Sequence, residues 1–123
     1  MIAKPALFAA MSLLVAAGAA AEEPDRAGAI LLRCKICHTL DKGGRTMVGP
    51  NLHGVFGRKA GTAANFSASD AMKNSNIVWD DETLAKFLRD PKNSLPGNRM
   101  SFPGITDDAV LAEVIARLKK ATQ

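Results

Sequence analysis

Cys34-Lys35-Ile36-Cys37-His38 is the stretch on which the reading of this chain turns, and it holds the only two cysteines in 123 residues. Residues three apart share a face of a helical turn, so both sulfurs can meet one edge of a flat ligand while His38 falls beneath its centre. This spacing is the signature for covalent attachment of a c-type haem. Two thioethers to the vinyl groups and an axial imidazole from His38 are the implied bonds. A structural zinc site needs four ligands, and the only other histidine is His53, so the zinc reading is weak. A redox dithiol would want a strand-helix-strand setting that the chain does not offer. A plain Cys34–Cys37 disulfide is the remaining alternative.

Upstream, Lys4 precedes an apolar run over Leu7–Val15, and Ala19-Ala20-Ala21 gives the small-residue pattern of a signal-peptidase site. Residues 1–21 therefore read as a cleaved secretory leader and residues 22–123 as one domain, with a retained anchor as the alternative. The apolar run is shorter than the ~20 residues that span a bilayer. Lys4 is the only charge in the leader, so residues 22–123 keep a formal +3, one below the whole chain's +4. That excess is too small for nucleic acid, and no basic run is interleaved with aromatics.

The core is thinly supplied. Phe8 lies in the leader, which leaves four Phe, one Trp and no Tyr for the domain. Six of the ten glycines fall between Gly43 and Gly61, in a stretch without helical or strand period. A domain this small is marginal without an addition to its core, and a long structureless loop is usually functional. A large flat apolar group at the centre, wrapped by that loop, accounts for both.

The periodicity predicts an all-α fold. One helix runs from about Asp25 to Ile36, with Ile30 and Leu31 on the face of Cys34. A second opens at Asp80 and buries Leu84, Phe87 and Leu88 before Pro91 stops it. A third follows Thr106 as N-cap and buries Val110, Leu111, Val114, Ile115 and Leu118. A short turn near Asp70–Asn74 is a further possibility, Pro91–Ile105 reads as loop, and no segment reads as a strand. The sixth iron ligand is open among His53, Met47, Met72 and Met100. A thioether opposite histidine suits electron transfer because it raises the potential and closes the iron to substrates.

An ordered set of landmarks accompanies the haem motif: Lys42-Gly43-Gly44, Gly49-Pro50-Asn51-Leu52-His53-Gly54, Phe56-Gly57-Arg58, Trp79, Pro91, Pro96-Gly97, Met100, Gly104-Ile105 and Leu118–Thr122. With these, the chain resembles the mitochondrial-type class I cytochromes c and their soluble bacterial counterparts, from about Cys34 to Thr122. The resemblance implies a monomeric, non-enzymatic carrier of single electrons with one haem c, ligated by His38 and Met100. It implies that the Pro50 carbonyl accepts the His38 ring proton, that Arg58 and Trp79 hold a haem propionate, and that Phe102 lies over the haem edge. His53 matches a surface position. The implied partners are respiratory or photosynthetic redox proteins, such as a membrane cytochrome bc-type complex, a terminal oxidase, a reaction centre or a dehydrogenase. With the leader, the resemblance points to the bacterial periplasm.

The departures are specific. Tyrosines expected at Ala68, Phe87, Ser94 and Arg117 are absent, and Met72 replaces a polar residue, which implies a drier pocket behind Met100. Arg33, Arg45, Lys92 and Arg99 keep part of the basic ring around the haem edge, while Met47, Asn93, Asp107 and Asp108 do not. Docking on acidic partners should persist but be weaker and salt-sensitive. Arg26 and Ile30 depart from the usual helix contact, and Gly28 is expected to supply the close approach of the first helix to the last. The rival class, a small haem peroxidase or gas-binding protein, would need an open sixth position with a distal acid or base.

Overall fold

In the computed structural model, residues 1–18 and 21–123 are described. Residues 1–18 are exposed and form no regular element, and Ala19 and Ala20 of the expected peptidase site lie outside the described residues. No helix among the described residues is long and apolar enough to cross a membrane. The elements in chain order are α1 (Arg26–Cys37), α2 (Asp70–Lys73), α3 (Asp81–Arg89), α4 (Pro91–Ser94) and α5 (Asp108–Ala121). No strand occurs among the described residues, and extended pairing is confined to one bridge between Lys59 and Val78. The all-α expectation is borne out.

α1, α3 and α5 carry the core. α5 buries Leu111, Val114, Ile115 and Leu118, and α3 buries Leu84, Phe87 and Leu88. α1 contributes Ala27, with Ile30 and Leu31 packed at the margin. α5 packs against both α1 and α3. Trp79 enters just ahead of α3, 6 % exposed, and tilts onto the Phe87 ring at 5.3 Å between centroids. Each such apolar side chain adds about 1.5–3 kcal/mol when fully buried.

Two boundaries differ from the sequence reading, and one helix contact is more specific than it foresaw. The N-cap of α5 is Asp107, not Thr106: its carboxylate accepts the Val110 N–H at 3.0 Å. A charged acceptor at the positive end of the helix outcompetes the neighbouring hydroxyl. Pro91 does end α3 but also starts α4, because a residue without an N–H fits the first helical position; Asp90 ends one helix and caps the next. Gly28 meets α5 at the Arg117 side chain, whose Nη1 would lie 3.3 Å from a Cβ there. A side chain there would strike the Asp25 carboxylate, so the glycine makes room for the ion pair between Asp25 and Arg117 (2.9 Å).

That pair has a mirror. Asp25 caps α1 and is held by Arg117 of α5, while Asp107 caps α5 and is held by Arg26 of α1 at 3.0 Å. Arg117, at a position where the resemblance implies tyrosine, thus joins the terminal helices at the surface, and it also takes Glu113 at 2.8 Å. These exposed pairs are individually modest.

The N-cap carboxylates make the fold acid-sensitive. The Arg117 guanidinium and then the Gly28 N–H hold Asp25 below its ordinary 3.8. The Thr83 N–H does so for Asp80, and the Val110 N–H, then Arg26, for Asp107. A carboxylate depressed in the folded state stabilises fully above its unfolded pKa and loses that contribution as pH falls through the folded one. The denaturant midpoint should therefore be flat above about pH 5 and fall below about pH 4. Asp80→Asn should show a smaller fall over the same interval in guanidinium titrations; an equal fall in both would exclude the cap as its source.

Candidate metal centre

The last turn of α1 presents Cys34 and Cys37 on one face, both half-buried and unpaired. His38 closes the helix: its N–H still reaches the Cys34 carbonyl at 2.9 Å, but its backbone is extended and swings the ring away from the helix axis. The ring meets the loop that follows. Nδ1 lies 2.7 Å from the Pro50 carbonyl. A carbonyl can only accept, so Nδ1 carries the proton and Nε2 keeps its lone pair free for a metal. Burial pushes the imidazole pKa down, the Pro50 contact opposes this, and the Arg58 charge lowers it again. The neutral, ligating form therefore prevails at neutral pH.

The loop backbone fits closely around that ring. The Gly49 N–H bonds the Cys37 carbonyl at 2.9 Å, and Gly49 is buried so tightly that any side chain would collide with the His38 ring. Burial also raises the Cys34 thiol pKa. A thiol held protonated is the opposite of what a dithiol redox pair requires. The zinc reading fares no better, since no group of three or more His, Cys, Asp or Glu side chains is gathered among the described residues.

Met100 sits half-buried in the segment after α4. Its N–H donates to Asn98 Oδ1 at 2.9 Å, while Asn98 Nδ2 donates to the carbonyls of Pro91 (2.9 Å) and Leu95 (2.8 Å). All the Asn98 amide groups are thus engaged within the loop. A cavity of about 750 Å³ opens beside it, lined by Met100, Phe102, Arg33 and Lys92 among others. The Arg33 guanidinium stands 5.4 Å from the Phe102 ring centroid. Leu52, Phe56, Met72, Leu95, Met100 and Phe102 pack against the core while staying partly exposed.

Arg58 and Trp79 are joined through the backbone, Trp79 N–H to Arg58 carbonyl at 2.9 Å. Arg58 donates to the carbonyls of Asn51 (3.1 Å) and His53 (3.4 Å), and burial lowers its pKa. It has no carboxylate partner among the ion pairs of the described residues. A half-buried guanidinium bonded only to carbonyls suits a propionate. His53 contributes its backbone to this corner, in keeping with an incidental side chain.

Two thiols on one face, a neutral imidazole with a free Nε2, a close-fitting glycine beside it, an apolar margin and a desolvated guanidinium fit one haem. The site and the helical fold together define a protein with a covalently attached haem. No family model matches the chain. It is 39% identical over 104 residues to cytochrome c2 of Blastochloris viridis, covering 85% of this chain and 82% of that protein. It is 51% identical over 86 residues to cytochrome c2 iso-2 of Magnetospirillum fulvum (70% and 88%), and 44% identical over 90 residues to cytochrome c of Ginkgo biloba (73% and 80%). The chain belongs to the cytochrome c family. It is an electron carrier rather than an enzyme, and its cofactor is one covalently attached haem c.

Sequence reasoning passed over Thr39 and Asn51 as functional residues, and it noted Asn98 only as a neighbour of the pocket behind Met100. Asn51 was visible only as part of a landmark, and nothing local marks Thr39.

Proposed function

We propose that the protein passes single electrons between redox proteins with His38 and Met100 as the axial ligands of its haem iron, Cys34 and Cys37 as the thioether donors, and Pro50, Arg58, Trp79 and Phe102 in support. The observation that carries this reading is the bond between His38 Nδ1 and the Pro50 carbonyl, which leaves Nε2 unprotonated with its lone pair free. The haem supplies one-electron exchange between Fe(II) and Fe(III). His38 would hold the iron through Nε2, Met100 would hold it through its thioether and so exclude water and gases, and Arg58 would offset propionate charge.

Residues 1–21 direct export and are removed, and the domain works in the bacterial periplasm. Partners are a bc-type complex, a terminal oxidase, a reaction centre or a dehydrogenase, met transiently by a monomer, with no role for nucleic acid. Arg33, Arg45, Lys92 and Arg99 are exposed and favour acidic partners. Leu32, Ile36 and Val48 are also exposed, at 66, 69 and 80 %. An apolar contact of this kind keeps a part of docking that salt does not screen.

The test is spectroscopic. The oxidised protein should show the weak near-infrared band of methionine–iron ligation, and the reduced protein should have narrow visible peaks that carbon monoxide does not shift. A high-spin or carbon monoxide-reactive haem would overturn the ligand assignment.

A further inference from the structure

We propose that Thr39 and Asn51 form a positioning pair for the His38 ligand: their side-chain bond holds the Pro50 carbonyl on the His38 Nδ1 proton and so sets how strongly the imidazole donates to iron. The inference rests on His38 being an axial ligand. Thr39 directly follows His38, and Asn51 directly follows Pro50, so the two residues flank the two ends of the His38–Pro50 bond. Asn51 Nδ2 donates to Thr39 Oγ1 at 2.6 Å, one residue beyond each end of that 2.7 Å contact.

The pair is saturated. Asn51 Nδ2 also donates to the Asp41 carbonyl at 2.9 Å, and its Oδ1 accepts the His53 N–H at 2.9 Å. Thr39 Oγ1 donates onward to the Arg45 carbonyl at 2.8 Å, and the Thr39 carbonyl accepts the Leu52 N–H at 2.8 Å. Arg58 fastens the Asn51 carbonyl from the other side. The backbone just after Pro50 is therefore tied to Thr39, and Gly49 just before it to the Cys37 carbonyl, so the Pro50 carbonyl cannot recede without breaking several bonds at once. Gly44 roofs the pair: a Cβ there would lie 2.6 Å from both Asn51 Nδ2 and Thr39 Oγ1. The loop thus keeps a glycine over a polar bond, where a larger residue would pry it apart.

The consequence is electronic. A hydrogen bond from Nδ1 to a carbonyl gives the imidazole more electron density to donate, which favours Fe(III). Loosening it should raise the reduction potential. Three variants of the holoprotein separate positioning from stability. Thr39→Val keeps shape and loses the hydroxyl, Thr39→Ser restores the hydroxyl, and Gly44→Ala presses on the pair without removing a polar group. Thr39→Val and Gly44→Ala are expected to raise the potential and to speed solvent exchange of the His38 Nδ1 proton about tenfold, the scale of one lost hydrogen bond. Thr39→Ser is expected to match the parent in both.

Lower unfolding midpoints in Thr39→Val and Gly44→Ala with unchanged potential and Nδ1 exchange would overturn the proposal and leave the pair a merely structural tie. Should Thr39→Val not assemble, Gly44→Ala decides by the same two readouts. The ligand assignment is checked separately in the parent protein, where the His38 ring protons must show the large shifts of an iron-bound imidazole. If those shifts are present and the variants are silent, only the positioning role fails.

Discussion

Met100→Ala is expected to yield a folded protein whose reduced haem binds carbon monoxide and whose near-infrared methionine band is gone. The fold should survive because the backbone N–H of residue 100 is held by Asn98 Oδ1, a bond that truncating the side chain leaves in place. Asn98 itself stays fixed by the carbonyls of Pro91 and Leu95. Loss of a soft thioether removes the ligand that favours Fe(II). The reduction potential should fall by about three decades of electron affinity, each about 59 mV for one electron. Redox titration and carbon monoxide difference spectra read both effects. A variant with parental potential and a closed haem would transfer the role to another methionine, Met72 being the one already packed against the core.

The second large effect is on stability. Trp79→Ala should cost about 3–5 kcal/mol, the range for truncating a buried large aromatic. Domains of this size have only about 5–15 kcal/mol in total. Trp79 is 6 % exposed, leans on Phe87, and exchanges backbone bonds with the loop, accepting from Gly57 at 2.7 Å and donating to Arg58 at 2.9 Å. Its loss would empty the join between the glycine-rich loop and α3. Guanidinium unfolding of the holoprotein measures the cost, and a change below about 1 kcal/mol would mean that the site collapses around the gap.

How much of this was readable in advance depends on how local each feature is. α3 and α5 carry long apolar stripes with acidic starts and basic ends, and their existence followed from period alone. α2 and α4, four residues each, are too short to show a period. At Thr106-Asp107-Asp108 three adjacent residues can each cap a helix, and only the backbone angles of Asp107 decide. In the candidate site, Cys34, Cys37 and His38 were legible because they lie within one turn at the end of α1. Pro50 lies 12 residues from His38, and Met100 lies far along the chain; neither follows from spacing, and both came from resemblance. The bonds of Asn51 and Asn98 join loop segments by contacts that no residue pattern announces.

The reciprocal ties between α1 and α5 have a consequence for the order of events during synthesis. Arg26 and Asp107 are separated by 81 residues, and Asp25 and Arg117 by 92. A contact that closes so long a loop forms late, because the entropy of closure precedes the reward. α1 is the first helix made, yet the helix that covers it is the last. Until α5 has docked, Asp25 and Arg26 lack their partners, whereas the Cys34–His38 segment is met by the loop that follows it, through the His38–Pro50 contact 12 residues apart and the bond from the Gly49 N–H to the Cys37 carbonyl. The attachment site is thereby shaped by short closures of the chain, and the terminal helices are joined across nearly its whole length.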